Sequence, residues 1–312
     1  MQKVSVVIPV FNEEESLSEL FRRLGDLFDS SPSDIKYEFL LVNDGSTDQS
    51  LQLISNQVKE HPSFKVLSFS RNFGHQAALL AGITQATGDA VVAIDADLQD
   101  PPEIIAELVA QWKLGSDVVY AERRQRNGES FFKKTSAALF YGLIDWLSDT
   151  HLPRNVGDFR LMDRRVVNLL IALPEKSLYL RGLVAWVGFE QTAVLYDRDA
   201  RHAGETKYSL KKMFNLASDA LLSFSEKPLR IVTRLGFIVT TLAFLLLGFF
   251  LITAYWGPDN QVHGWLSMIF AVLFLGGIQL ICLGIVGEYI SRIYREVKGR
   301  PHYIIDERRS SW

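Results

Sequence analysis

Val91-Val92-Ala93-Ile94-Asp95-Ala96-Asp97-Leu98-Gln99-Asp100-Pro101-Pro102 decides how the rest of the chain is read. Its apolar first half ends abruptly in acidic side chains, and two prolines then open a helix. A buried strand that delivers Asp95 and Asp97 at its carboxyl end builds a hard-oxygen site, suited to Mg²⁺ or Mn²⁺ bridging phosphate oxygens. The plainer reading is a strand, an Asp-rich turn and a proline in the first helical turn. The neighbouring sequence has to separate the two.

Upstream, β-branched and apolar runs at 4–10, 37–42 and 64–69 read as strands, and helical spacing appears at 16–28, 51–58 and 77–86. Thr47 or Asp48 is placed to cap the second helix. Downstream, 104–112 reads as a helix and 117–121 as a fifth strand. Strands alternating with helices predict a parallel, doubly wound sheet, in which ligands bind outside the carboxyl ends of the strands. The polar clusters stand at those ends: Asn12-Glu13, Asn43-Asp44, Arg71-Asn72, Asp95 with Asp97, and Glu122-Arg123-Arg124. Five clusters on one edge favour a nucleotide-type site over solvated turns. Neither G-x-G-x-x-G nor a P-loop is present, which disfavours a dinucleotide dehydrogenase or a P-loop NTPase.

Beyond residue 125 the character changes. An apolar helix at 130–150, with Lys133 and Lys134 near its start, is either an ordinary core helix or one lying in a membrane interface. Residues 155–160 read as a loop leading into a helix at 164–173. A strand follows at 189–196, then a polar loop at 198–208 and an amphipathic helix at 209–224. Two charge-free runs come next, 22 residues at 235–256 and 23 at 265–287. Roughly 20 apolar residues cross a bilayer core, so both read as transmembrane helices. The loop between them has no Lys or Arg, whereas Lys227, Arg230, Arg234, Arg292 and Arg295 flank the pair. The positive-inside rule then places both termini in the cytoplasm.

The 312 residues carry a net charge of −3, so nucleic acid is not an expected partner, and the single cysteine, Cys282, excludes a disulfide framework. The N-terminus starts directly as a strand, and no signal peptide is expected.

Four motifs stand in order: Val7-Ile8-Pro9-Val10-Phe11-Asn12-Glu13-Glu14; Val42-Asn43-Asp44-Gly45-Ser46-Thr47-Asp48; Asp95-Ala96-Asp97-Leu98-Gln99-Asp100-Pro101-Pro102-Glu103; and Arg201-His202-Ala203-Gly204-Glu205-Thr206-Lys207-Tyr208. Together they resemble the inverting family-2 glycosyltransferases of the GT-A fold. More narrowly they resemble the polyisoprenyl-phosphate hexose synthases, which include dolichyl-phosphate mannose synthase. The two C-terminal runs make the chain similar to the bactoprenol glucosyltransferase branch, and the resemblance covers residues 3–300.

The resemblance implies an α/β fold: a Rossmann-like, mostly parallel GT-A catalytic domain at 1–208, followed by two transmembrane helices. An interfacial helix and linker would occupy 209–234, the spans 235–256 and 265–287, and a cytoplasmic tail 288–312. It implies that Pro9, Phe11, Glu13, Asp44 and Asp95 bind the nucleotide sugar, with Phe11 against the base. Asp95 and Asp97 match the D-x-D element and would hold Mg²⁺ or Mn²⁺ with help from Gln99. Arg201 and Lys207 would hold the acceptor phosphate, with Arg123, Lys134 and Ser136 as further candidates. The family often carries Asp where Asn43 stands. Asp158 would lie near the anomeric carbon as a candidate base. A phosphate monoester has a second pKa of about 6, so its oxygen is already largely deprotonated at neutral pH. Asp158 is therefore equally a group that orients the acceptor or stabilises an oxocarbenium-like sugar.

The activity implied is inverting transfer of a hexose, favouring glucose from UDP-glucose, to undecaprenyl phosphate on the cytoplasmic face of the inner membrane. The alternatives are another donor (GDP-mannose, UDP-GlcNAc or a modified UDP-arabinose) and a non-catalytic membrane protein that only binds nucleotide sugar. A processive synthase is disfavoured because no Gln-x-x-Arg-Trp element is found; Arg181-Gly182-Leu183 is not one. Membrane lipid is an expected partner and a homo-oligomer an expected assembly, with Gly276-Gly277 permitting close helix contact.

Overall fold

Among the described residues, seven strands form one sheet in the order β3-β2-β1-β4-β6-β5-β7. In the computed structural model they are β1 Gln2–Val10, β2 Ile35–Asn43, β3 Phe64–Ser68, β4 Ala90–Ala93, β5 Val118–Arg123, β6 Val156–Asp163 and β7 Gln191–Tyr196. The helices are α1 Glu14–Asp29, α2 Ser50–Glu60, α3 His75–Gln85, α4 Ile104–Lys113, α5 Arg164–Ala172, α6 Leu180–Val187, α7 Lys227–Trp256 and α8 Trp265–Lys298. The structure describes residues 1–124, 156–175, 179–197, 227–256 and 265–311.

The β-branched runs explain the sheet's left half. Seven consecutive residues of β1, from Val4 to Val10, are buried, as a parallel strand covered on both faces requires. β1 pairs in parallel with β2 and β4, and β2 with β3. Helix α1 turns Leu17, Leu20, Leu24 and Leu27 inward at helical spacing. Each such side chain contributes roughly 1.5–3 kcal/mol by leaving water. Helix α3 approaches β1 so closely that a Cβ at Gly82 would overlap Val7, so that position needs glycine.

Pro9 sits in this central strand without disturbing it. Val7 O accepts from Ile94 N at 3.1 Å, toward β4, and Val10 O accepts from Asp44 N at 2.9 Å, toward β2. Pro9, two residues past Val7, faces the β4 side after the ladder with β4 has ended at Val7–Ala93. Its missing N–H therefore costs no ladder bond.

The right half departs from the expectation in one respect. Residues 156–163 form a strand where the sequence predicts a loop at 155–160; it is inserted between β4 and β5 and antiparallel to both. Gly157, Asp158 and Arg160 break the apolar pattern that marks a strand. The pairing partners that compensate are distant in sequence, so local pattern is silent about them. β5 then pairs in parallel with β7. Asp163 ends β6 and caps α5 by accepting from Arg165 N at 2.9 Å. At α2 the N-cap is Gln49 and makes no side-chain cap, rather than the expected Thr47 or Asp48; Asp48, one residue earlier, still takes the Ser50 N–H at 3.0 Å.

The described residues form two compact units. One is the sheet domain together with the C-terminal segment from Arg300; the other contains α7 and α8. Helix α8 runs past the predicted span to Lys298, and Gly299, at φ +61°, stops it with a left-handed residue before Pro301. Among the described residues, Ala271–Lys298 is the stretch long and apolar enough to cross a membrane. The expected helices at 130–150 and 209–224 lie outside the described residues.

Candidate active site

The loops after β1, β2 and β3 interlock at the carboxyl edge. Asn12 Oδ1 accepts from Thr47 N at 2.8 Å, and Asn12 N donates to Ser46 Oγ at 3.1 Å. Glu14 Oε2 accepts from Gln49 N at 2.8 Å. Asn43 is buried and bridges strands: its Nδ2 donates to Ser68 Oγ at 2.8 Å and its Oδ1 accepts from Ser46 N at 3.1 Å. An amide supplies both a donor and an acceptor there, whereas an aspartate supplies only acceptors.

Asp44, 2% exposed, accepts from Phe73 N at 2.7 Å and Gly74 N at 2.9 Å. Burial raises its pKa, partly offset by those two amides. Gly45 follows at φ +67°, and a Cβ there would stand 2.5 Å from Arg71 C and 2.6 Å from Asn72 N. The two loops thus touch backbone to backbone. Phe11 is 43% exposed at the same edge, an apolar ring offered to solvent.

Asp95 and Asp97 follow β4. Asp97 Oδ1 accepts from Gln99 N at 3.1 Å, closing a turn through Leu98, a buried leucine at φ +58°. Among the described residues the two non-glycine residues at positive φ are Leu98 and Asn12, both on this edge. Such conformations are costly and persist where the surroundings enforce them. Asp95 Oδ1 has no hydrogen-bond partner; the His75 Nε2 stands 3.5 Å away. Burial, with the charges of Asp158, Asp100 and Asp97, pushes Asp95 up to about 6 against the pull of His75.

An acidic pair with one buried oxygen lacking a hydrogen bond fits a hard divalent cation. No group of three or more His, Cys, Asp or Glu side chains converges as a cage among the described residues. Mg²⁺ and Mn²⁺ are both hard cations that such a carboxylate pair can hold together with substrate phosphates and water. Gln99 contributes its backbone N–H to this turn.

Beside the pair stands an ion-pair cluster. Asp158, on β6 and 5% exposed, accepts from Arg181 Nε at 2.6 Å and Nη2 at 2.9 Å. Its Oδ2 also lies 3.2 Å from His75 Nε2 and 3.2 Å from Gln76 Nε2. Gln76 Oε1 in turn accepts from Leu180 N at 3.1 Å, locking α6 to the start of α3. Burial alone would raise Asp158, but His75 and Arg181 hold its carboxyl far below the usual carboxylate range. Burial lowers His75, and Asp158 with Asp95 more than restores it. The geometry makes Asp158 a fixed negative charge.

Asp100, at the end of the Asp-rich turn, is 1% exposed. It accepts from the Tyr196 hydroxyl, and Arg123 Nη2 lies 3.6 Å away. Arg123 Nε also donates to Tyr196 Oη at 3.1 Å, so this predicted phosphate ligand is anchored at the end of β5. Glu13 stands at the start of α1, where its Oε2 accepts from Ser16 Oγ at 3.2 Å. Arg201, Lys207, Lys134 and Ser136 lie outside the described residues.

Sequence reasoning missed His75, Gln76, Arg181 and Tyr196. His75 and Gln76 come after Phe73-Gly74, close behind the Arg71-Asn72 cluster, so nearness to the predicted ligand edge is the signal that could have found them. Arg181 and Tyr196 carry no such signal.

Residues 5–170 match the model described as Glycosyl transferase family 2, and residues 227–293 match the GtrB C-terminal hairpin. The chain is 48% identical to the uncharacterized glycosyltransferase YkcC of Bacillus subtilis (strain 168), covering 97% of this chain and 93% of that one. It is 42% identical to the bactoprenol glucosyl transferase of Shigella phage SfX, covering 98% of this chain and 100% of that one. Among solved structures, mannosyl-3-phosphoglycerate synthase from Rubrobacter xylanophilus aligns with a TM-score of 0.48 at 16% identity, over 84% of this chain and 78% of that one.

Proposed function

Because the chain belongs to glycosyl transferase family 2 and is a glycosyltransferase of GT-A fold, we propose that it moves a hexose from a nucleotide sugar to polyprenyl phosphate. The observation that carries this is the likeness to the Shigella phage bactoprenol glucosyl transferase. It runs through the sheet domain and the C-terminal hairpin alike. The same likeness favours glucose, from UDP-glucose, and undecaprenyl phosphate as acceptor.

In this reading Phe11 stacks on the base, and Pro9, Glu13, Asp44 and the loop it holds shape the nucleotide corner. Asp95 and Asp97, with Gln99, hold Mg²⁺ or Mn²⁺. A cation held there would supply positive charge against the diphosphate leaving group. The lipid phosphate attacks from the opposite face and inverts the anomeric carbon. Its oxygen is already ionised at neutral pH, so little proton removal is required of the protein. Asp158 then works as a fixed charge beside the developing oxocarbenium rather than as a base. Its pairing with Arg181 and His75 supports that role. Arg123, and Arg201, Lys207, Lys134 and Ser136 from the segments outside the described residues, take the acceptor phosphate.

Helices α7 and α8 are the two spans that keep the polyprenyl tail in lipid beside a cytoplasmic site. Both termini are cytoplasmic, the protein is multi-pass in the inner membrane, and copies of the chain associate through it. Large apolar side chains along both helices, including Phe237, Phe244, Leu273 and Leu280, are exposed, which supports a lipid environment.

The test is direct. Membranes carrying the chain are incubated with undecaprenyl phosphate and a panel of labelled nucleotide sugars, with and without EDTA. Label from UDP-glucose is expected in the lipid phase, and EDTA or Asp97→Asn abolishes it. A lipid-linked product from another donor replaces glucose in the reading; no such product from any donor sinks it.

A further inference from the structure

Strand β3 lies at one end of the sheet, and an open strand edge invites pairing with other chains. Here the chain's own C-terminal segment occupies that edge. Val66 N donates to Ser311 O at 2.9 Å, and Ser311 N returns to Val66 O at 2.8 Å. Asp306 N donates to Ser68 O at 2.8 Å, Ser68 N to Ser310 Oγ at 2.9 Å, and Ser70 N to Ile304 O at 3.0 Å. Between the two antiparallel bridges, Val66–Ser311 and Phe69–Ile305, a short 3-10 turn at Glu307–Arg309 takes up the extra length. Asp306 caps that turn by accepting from Arg308 N at 3.2 Å.

The contact continues inward. Tyr303 stacks on Phe69 with centroids 5.0 Å apart and planes 10° apart. Phe69 is fully buried and meets Phe73 edge-on at 5.7 Å. Phe73 N and Gly74 N are the donors that hold Asp44. One packed path therefore runs from Tyr303 through Phe69 and Phe73 to the Asp44 carboxylate.

We propose that residues 303–311 are a positioning element for the donor nucleotide. By filling the edge of β3 and stacking Tyr303 on Phe69, they fix the loop that sets Asp44. The inference rests on the reading that Asp44 belongs to the nucleotide corner. Covering the edge alone needs only backbone pairing; the aromatic path adds a link to the site. A segment at the far end of the chain thereby becomes part of donor recognition without touching the donor.

The test uses the full chain in detergent, with initial rates at varied UDP-glucose and at varied acceptor. Tyr303→Ala removes a stack of a strength that corresponds to about 2- to 10-fold in an equilibrium constant. The donor KM is expected to rise by about that factor, with kcat and the acceptor KM unchanged within roughly twofold of wild type. Tyr303→Phe keeps the ring and restores the donor KM. A chain ending after Pro301 shows the larger defect, and a synthetic peptide of residues 302–312 added in trans relieves it. Asp44→Asn is assayed alongside. If Asp44→Asn raises the donor KM while Tyr303→Ala lowers only the melting temperature, the tail merely covers the edge and this inference fails alone. If neither variant changes the donor KM, the reading of Asp44 fails with it. If Tyr303→Ala raises the donor KM and Asp44→Asn does not, the path through Asp44 is overturned.

Discussion

Replacing Asp158 by Asn is the perturbation that distinguishes a base from a fixed charge. The carboxylate is 5% exposed and receives two hydrogen bonds from Arg181, at 2.6 and 2.9 Å. Removing one partner of a fully buried pair costs about 3–5 kcal/mol, because the other charge is left uncompensated. Arg181 keeps a third of its side chain exposed, so water recovers part of that loss. A double-mutant cycle of Asp158→Asn and Arg181→Gln should then give a coupling of about 2 kcal/mol, read from denaturation midpoints in detergent. The depressed folded-state pKa means that this stabilisation is complete above the unfolded value of about 3.9. It is lost as pH falls below that value. Asp158 is accordingly ionised across the whole working range and adds no limb to the kcat profile between about pH 5 and 9. Asp158→Asn should slow turnover by a similar factor at every pH in that range. Arg181→Lys should keep more activity than Arg181→Gln. A coupling below about 0.5 kcal/mol would refute the structural half of this reasoning. A rate loss confined to pH values below about 6, where the acceptor phosphate is protonated, would refute the chemical half and restore Asp158 as the base.

Two further outcomes test the frame around the site. Glu38, 4% exposed on β2, pairs with Lys3 at 2.6 Å and accepts from Ser5 Oγ and Thr87 N. Burial raises its carboxyl, but these partners bring it from 4.5 down to about 2. That shift is worth about 3 kcal/mol at neutral pH, so Glu38→Gln should destabilise the chain by up to this amount at pH 7. The gap to wild type should narrow as pH falls from about 4.5 toward 2; a gap independent of pH would refute the assignment. Gly45→Ala meets both a left-handed backbone and the peptide joining Arg71 to Asn72. It should cost at least about 1–2 kcal/mol and raise the donor KM, and wild-type behaviour in both measurements would show that the two loops are not held together as described.

The sheet's left half and the location of the candidate site at its carboxyl edge were legible because both are local information. A β-branched run buried on two faces looks the same whatever it pairs with, and each run ends at a polar cluster within a few residues. The alternation of strands and helices then puts all those clusters on one edge. The D-x-D stretch itself, the two charge-free runs and the order of the four motifs are likewise properties of consecutive residues. They were enough to mark a family-2 glycosyltransferase.

What consecutive residues do not carry is partnership across the chain. Residues 156–163 look like a loop because Gly157, Asp158 and Arg160 interrupt the apolar pattern. They become a strand only because β4 and β5 supply ladders on either side. Asp158 looks like a free acid until Arg181, 23 residues on, and His75, 83 residues back, hold it ionised. Asp100 looks like a solvated turn residue until Tyr196 and Arg123 close over it. The C-terminal segment looks like a tail until Ser310 reaches Ser68, 242 positions away, and Tyr303 covers Phe69. In each case the sequence determined which chemical groups are present and near which strand end. The tertiary structure decided their charge state, exposure and freedom to react, because those depend on groups that are close only once the chain has folded.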